Sequence, residues 1–198
     1  MAKCKNLTDE EIQQVLTAFE NPRLRYGKRD RLFFLLGLKL GYRCSEMLSL
    51  KLKDVLQEDG QVVDRITIER RFMKLKKRSR SVVVHPVVKA AIKDQVEDLA
   101  KRGFTDLGTY LFKSRNKANK PLSRMQAWEN LQKIFRMAGV KGKLGTHVMR
   151  RSFANRVYEK LGKDLFRTMV ALGHSHIAST VSYLNYHQSE VDQAILDI

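Results

Sequence analysis

The segment RDRLFFLLGLKLGYR, residues 29–43, sets the tightest limit on how this chain can fold. From Leu32 to Leu40, Lys39 apart, its side chains leave almost no polar face on a helical wheel. Such a helix has to be surrounded, so other elements must pack around it and it is the predicted centre of the core. Gly41 is its predicted stop. Ser45 is expected to cap a short following helix that carries Glu46. A chain of 198 residues with 43% hydrophobic content can supply that surrounding shell as one good-sized domain.

The rest of the chain reads as mainly helical. Thr8 and Glu11 form a capping box for a helix through Phe19, broken by Pro22 and Gly27. Asp59-Gly60 marks a tight turn, VVDRITIE alternates like a strand, and SVVVH reads as its antiparallel return. Pro86 starts a helix to about Lys101, and YLF is a short extended or buried piece. Ser123 and Gln126 box a helix ending near Gly139, and Thr146 caps one from His147 to about Leu161. Asp164 caps a short helix stopped at Gly173, Ser175 opens another, and Ser189 begins the last, SEVDQAILDI. In that last helix Val191, Ile195 and Ile198 share one face. The expected fold class is mainly α with a small antiparallel β-sheet, in a single domain over 1–198.

A formal net charge of +17 points to a polyanionic partner. The charge concentrates between the two strands, in RITIERRFMKLKKRSR, where a hairpin can reach a nucleic-acid groove; Arg70, Arg71, Lys76, Lys77, Arg78 and Arg80 are the candidate DNA contacts. The N-terminal MAKCKNLTDEE has no apolar stretch of a secretory signal, and no run reaches membrane-spanning length. Cys4 and Cys44 make neither a disulfide framework nor a zinc spacing, which fits a cytoplasmic protein.

Two arginines stand in unusual places. In THVMRRSFANRVYEKL, Met149, Phe153, Val157 and Leu161 form an apolar stripe, and Arg150 falls on its edge, with His147 one turn earlier. Arg43 follows the stop of the most apolar helix, with Glu46 as its partner or its support. A guanidinium at a core margin needs either a carboxylate or an anionic ligand. Two of them on rigid elements suit a phosphate, whose oxygens match their forked donors. Near the C-terminus, ALGHSHIASTVSYLNYH crowds His174, His176 and His187 with Tyr183 and Tyr186. By itself that stretch fits a metal site, a packed helix pair or a tyrosine nucleophile.

Three stretches resemble the tyrosine recombinase (phage integrase) family. GYRCSEMLSLKLKDV is similar to its arginine-bearing segment, THVMRRSFA to its His-x-x-Arg helix, and ALGHSHIASTVSYL to its closing Gly-His segment, where the tyrosine follows the histidine by nine residues. They occur in the family's order, with the hairpin between the first two. The resemblance implies the tyrosine recombinase catalytic-domain fold, without the N-terminal core-binding domain that most relatives carry. It implies Arg43, His147, Arg150 and His174 around a phosphate and Tyr183 as nucleophile, with no metal and no cofactor. Glu46 and Asp54 resemble support positions.

The family's hairpin lysine, which protonates the leaving 5′-oxygen, falls at Lys74 or Lys76; the register counted from the return strand lands on Leu75, and Lys74 is preferred. A free phenol titrates near pH 10, so the tyrosine needs cationic or hydrogen-bonding surroundings, and attack builds charge that arginines and histidines can stabilise. Double-stranded DNA is the expected partner, with the protein assembled on it as a homo-oligomer, a tetramer in the family. Two other readings stay open: a basic DNA-binding protein without turnover, and strand cleavage of the type IB topoisomerase kind.

Overall fold

The computed structural model describes residues 5–69, 79–115, 118–185 and 188–198. Helix α1 (Asp9–Ala18) opens on the expected capping box: Thr8 accepts from the Glu11 backbone and Glu11 accepts from the Thr8 backbone. Helix α2 (Gly27–Lys39) is buried at every position from Leu32 to Leu38, as its wheel requires. Aromatic rings wedge against it. Phe33 meets Phe112 edge-on with centroids 5.3 Å apart, and Phe34 meets Phe135 at 6.4 Å. Burying one such side chain is worth about 1.5–3 kcal/mol, so this helix is the apolar centre of the fold.

Gly41 ends α2 with φ of +64°, a conformation that favours glycine. Helix α3 (Cys44–Ser49) starts two positions earlier than expected: Arg43, not Ser45, is its N-cap, because Glu46 reaches back to the Arg43 backbone amide at 2.7 Å. A 3₁₀ turn (Leu52–Asp54) follows, where the Asp54 carboxylate accepts from the Lys51 amide. That is the structural role expected of Asp54.

Strands β1 (Arg65–Ile68) and β2 (Arg80–Val83) pair antiparallel, with Arg65 opposite Val83 and Ile68 opposite Arg80. Both are shorter than the alternating pattern. Val62 is instead bridged to Leu56, across a turn closed by the Gln57 amide on the Gln61 carbonyl. Helix α4 (Pro86–Lys101) carries proline in its first turn, and the His85 ring accepts from the Val87 amide. The YLF piece is mostly buried: Tyr110 bridges to Lys51, and Leu111 and Phe112, in the turn that follows, are fully buried.

Helix α5 (Arg124–Met137) starts on the expected Ser123–Gln126 box. Helix α6 (His147–Lys160) departs from its wheel. Every residue from Val148 to Ala154 is buried, including Arg150, Arg151 and Ser152, whereas Val157 and Leu161 are only half-buried. The reason is that different neighbours meet its first two turns on several sides. Met149 faces Gly37, where an added Cβ would sit 2.9 Å away; Phe153 covers Gly41; and the Leu7 amide donates to Ser152 Oγ at 2.9 Å.

Two compact units divide inside α6, one closing at Phe153 and the other running Ala154–Ile198. In the second, α7 (Leu165–Leu172) begins on Asp164 and stops at left-handed Gly173, and it packs on α8 (Ile177–Val181). His176, not Ser175, caps α8, and α9 spans Gln188–Leu196. Among the described residues the architecture is mainly α with one small antiparallel sheet, as expected. No helix among them is long and apolar enough to cross a membrane.

Candidate active site

Three arginines meet where α2 hands over to α3. Arg43 is half-buried; its Nη1 donates to Glu46 Oε1 at 2.7 Å while its backbone amide donates to Oε2, also at 2.7 Å. Glu46 is fully buried. One carboxylate therefore fixes both the backbone and the side chain of Arg43, which settles Glu46 as partner and support together. A guanidinium has five N–H donors, so an edge held by Glu46 leaves capacity for a phosphate.

Arg150 is 1% exposed, and its Nη1 donates to the Gly41 carbonyl, two residues before Arg43. His147 is exposed at the start of the same helix, one turn before Arg150.

Arg80 does not lie where the sequence reading put it. Expected as a DNA contact, it is 6% exposed and turned inward; Nη2 donates to the Leu40 carbonyl at 2.7 Å, Nη1 reaches the Gly41 carbonyl at 3.3 Å, and the guanidinium stacks 4.9 Å from the centre of the Tyr42 ring. The strand period explains the error. Arg80 is opposite Ile68, which is buried, and cross-strand partners share a face. Charge density suggested a surface residue, whereas the register puts Arg80 beneath the hairpin. Burial lowers the Arg80 pKa, with Tyr42 and Glu46 pulling it back up. Burial likewise raises that of Tyr42, whose hydroxyl donates to the Ile66 carbonyl at 2.7 Å.

Cys44 stands beside Arg43, yet burial pushes its thiol up to about 11 against the pull of Arg124. At neutral pH it stays protonated and is no rival nucleophile.

The second unit brings His174 and Tyr183 together. Their ring centroids are 5.4 Å apart, and both side chains are half-buried. His174 Nδ1 is 2.9 Å from the hydroxyl of fully buried Thr180, a contact that fixes the ring's orientation.

Asn155, which nothing in the sequence reading singled out, spans the tyrosine from α6. Its Nδ2 donates to the Tyr183 carbonyl and its Oδ1 accepts from the Asn185 amide, both at 2.9 Å. No local motif announces such a residue, because its partners lie 28 and 30 positions away. For Arg80 a usable signal did exist: continuing the buried alternation of Ile66 and Ile68 across the strand pair.

Lys74, Lys76, Lys77, Arg70, Arg71 and Arg78 lie outside the described residues, as do Cys4, Tyr186 and His187. Among the described residues no three His, Cys, Asp or Glu side chains gather as a metal site.

The chain is similar to known proteins over most of its length. The model of the phage integrase family matches residues 5–190. The probable integrase/recombinase YoeC of Bacillus subtilis is 29% identical over 175 residues, covering 88% of this chain and 85% of that protein. The tyrosine recombinase XerD of Staphylococcus saprophyticus is 32% identical over 187 residues, covering 91% of this chain but 59% of that protein. Among solved structures, the XerH site-specific recombinase bound to a palindromic difH substrate, a post-cleavage complex, superposes with a TM-score of 0.76 at 26% identity. That match covers 98% of this chain and 53% of XerH, so the chain spans a little over half the length of these longer recombinases. With the family model matched over nearly all of its length, the chain belongs to the phage integrase family.

Proposed function

We propose that the protein is a metal-independent site-specific recombinase that cleaves and rejoins double-stranded DNA through a 3′-phosphotyrosyl bond on Tyr183. The observation that carries this reading is the anchoring of two arginines at one turn, Arg43 by buried Glu46 and Arg150 by the Gly41 carbonyl. Two guanidiniums fixed before any ligand arrives are preorganised donors for the charge that builds on a phosphate's non-bridging oxygens.

In the proposed step Tyr183 loses its phenolic proton to solvent, its oxygen forms a bond to phosphorus, and the bond from phosphorus to the 5′-oxygen breaks. Lys74, with Lys76 as its alternative, gives the leaving oxygen its proton. His147 and His174 supply further donors to the phosphate. Rejoining is the reverse, with a 5′-hydroxyl of another strand attacking the phosphotyrosine, so no bond energy is lost to hydrolysis.

Assembly as a tetramer on DNA is part of the proposal. The exposed apolar residues of the C-terminal helix support it: Val191, Ile195 and Leu196 stand at 40%, 62% and 79% exposure. A cytoplasmic setting fits a DNA substrate.

A nicked suicide substrate tests the reading directly. Wild-type protein should accumulate a covalent protein–DNA adduct, Tyr183→Phe should bind DNA without forming one, and Tyr186→Phe should still form it. An adduct that persists in Tyr183→Phe removes the nucleophile assignment, and one that never forms with wild type removes the recombinase reading.

A further inference from the structure

Arg80 is the first residue of β2. From there its guanidinium reaches the carbonyl of Leu40, the C-cap of α2, and that of Gly41 just past it. The last carbonyls of a helix lack intrahelical donors and carry partial negative charge, so a buried cation placed there satisfies both needs at once.

Arg150 donates to the same Gly41 carbonyl from α6. Arg43 is two residues further along. Tyr42, stacked under Arg80, is itself tied to β1 by its hydroxyl on the Ile66 carbonyl. Each strand thus has one contact with the turn that positions Arg43: the Arg80 side chain from β2 and the Ile66 backbone carbonyl from β1.

We infer that Arg80 is a positioning residue for strand cleavage: it locks the 40–43 turn so that Arg43 and Arg150 present a fixed pair of guanidiniums, and it ties the start of β2 to that pair. Its role is internal and acts through its neighbours. Lysine cannot reproduce it, since a single ammonium does not span two carbonyls and stack on a ring as a planar guanidinium does. Displacing a catalytic group by about 1 Å costs on the order of 100-fold in rate even when the altered residue never touches the substrate.

The inference rests on the recombinase reading above, and the experiment keeps the two apart. Wild type is first shown to form its adduct on the nicked substrate; failure there counts against the recombinase reading alone. Arg80→Lys and Arg80→Gln are then measured well below their unfolding temperatures, for DNA affinity at several salt concentrations and for single-turnover cleavage at saturating DNA.

Affinity and salt slope should stay within about twofold of wild type, because no phosphate contact is removed. Cleavage should fall about 100-fold. In an Arg43→Ala background the added loss should shrink to about threefold or less, since the effect passes through the Arg43 turn.

A salt slope reduced by about one, with a matching loss of affinity, would instead make Arg80 a direct phosphate ligand. Wild-type cleavage in both folded variants, a fully additive loss with Arg43→Ala, or failure of both variants to fold would each overturn the positioning role.

Discussion

Arg43 and Glu46 form one residue pair that the proposed function assigns to both folding and chemistry. Glu46 has no exposure at all and is held by the Arg43 guanidinium and the Arg43 amide. Arg43→Ala should therefore have two separable effects. Leaving a buried carboxylate without its cation costs about 3–5 kcal/mol of stability. Losing a preorganised donor to the transition state costs about 100- to 1,000-fold in cleavage.

Adding Glu46→Gln to Arg43→Ala should recover part of the stability, because the neutral amide still accepts from the residue 43 amide, and none of the cleavage. Denaturant titration and single-turnover cleavage of the two variants check this. Recovery of both would make Arg43 structural. Arg150→Ala should show the same loss of cleavage; a rate within a few-fold of wild type would remove it from the proposed site.

At the scale of elements, the decisive feature is the junction between α2 and α3, where the Arg80 and Arg150 side chains converge on the Leu40 and Gly41 carbonyls. Gly41 permits that convergence. Its φ of +64° suits glycine, and an added Cβ would lie 2.3 Å from the Phe153 ring. Gly60, at φ +78°, has nothing within 4 Å of the same position.

The two glycines therefore separate backbone strain from packing. Gly60→Ala should cost only the left-handed penalty of about 1–2 kcal/mol. Gly41→Ala should cost that plus about 1–3 kcal/mol for overpacking against Phe153. Denaturant midpoints compare them, and equal losses would mean that Phe153 moves aside freely. Cleavage should fall further in Gly41→Ala than in Gly60→Ala even where both are folded, because the Arg43 turn starts at Gly41.

For the whole molecule, charge governs how the proposed DNA substrate would be met. A net charge of +17 predicts binding that weakens steeply with salt, with log affinity falling about 0.9 per phosphate contact for each log unit of salt. Affinity measured across a salt series should be steep for wild type and shallower when Arg70, Arg71, Lys77 and Arg78 are replaced together by glutamine. A slope unchanged by those four substitutions would move the DNA contacts off the hairpin. Arg80 is excluded from that set because its charge is spent on Leu40 and Gly41.

How far the sequence alone reached depended on whether the relevant forces are local. The buried α2 follows from its own apolar wheel, and α1, α5 and α7 start at caps whose partners lie three residues away. The order and spacing of Arg43, His147-x-x-Arg150, His174 and Tyr183 were legible because motifs are linear. Residues whose partners are distant in the chain were not. Arg80 looked like one more surface charge until the strand register turned it inward, 40 positions from the Leu40 carbonyl it holds. The first turns of α6 looked one-sided until Gly37, Gly41 and Leu7 were found against them. Asn155 carried no signal at all. Local propensity and periodicity set where helices begin and which residue types recur; which buried polar group meets which carbonyl is decided only when distant segments pack, since each such group must find its partner there.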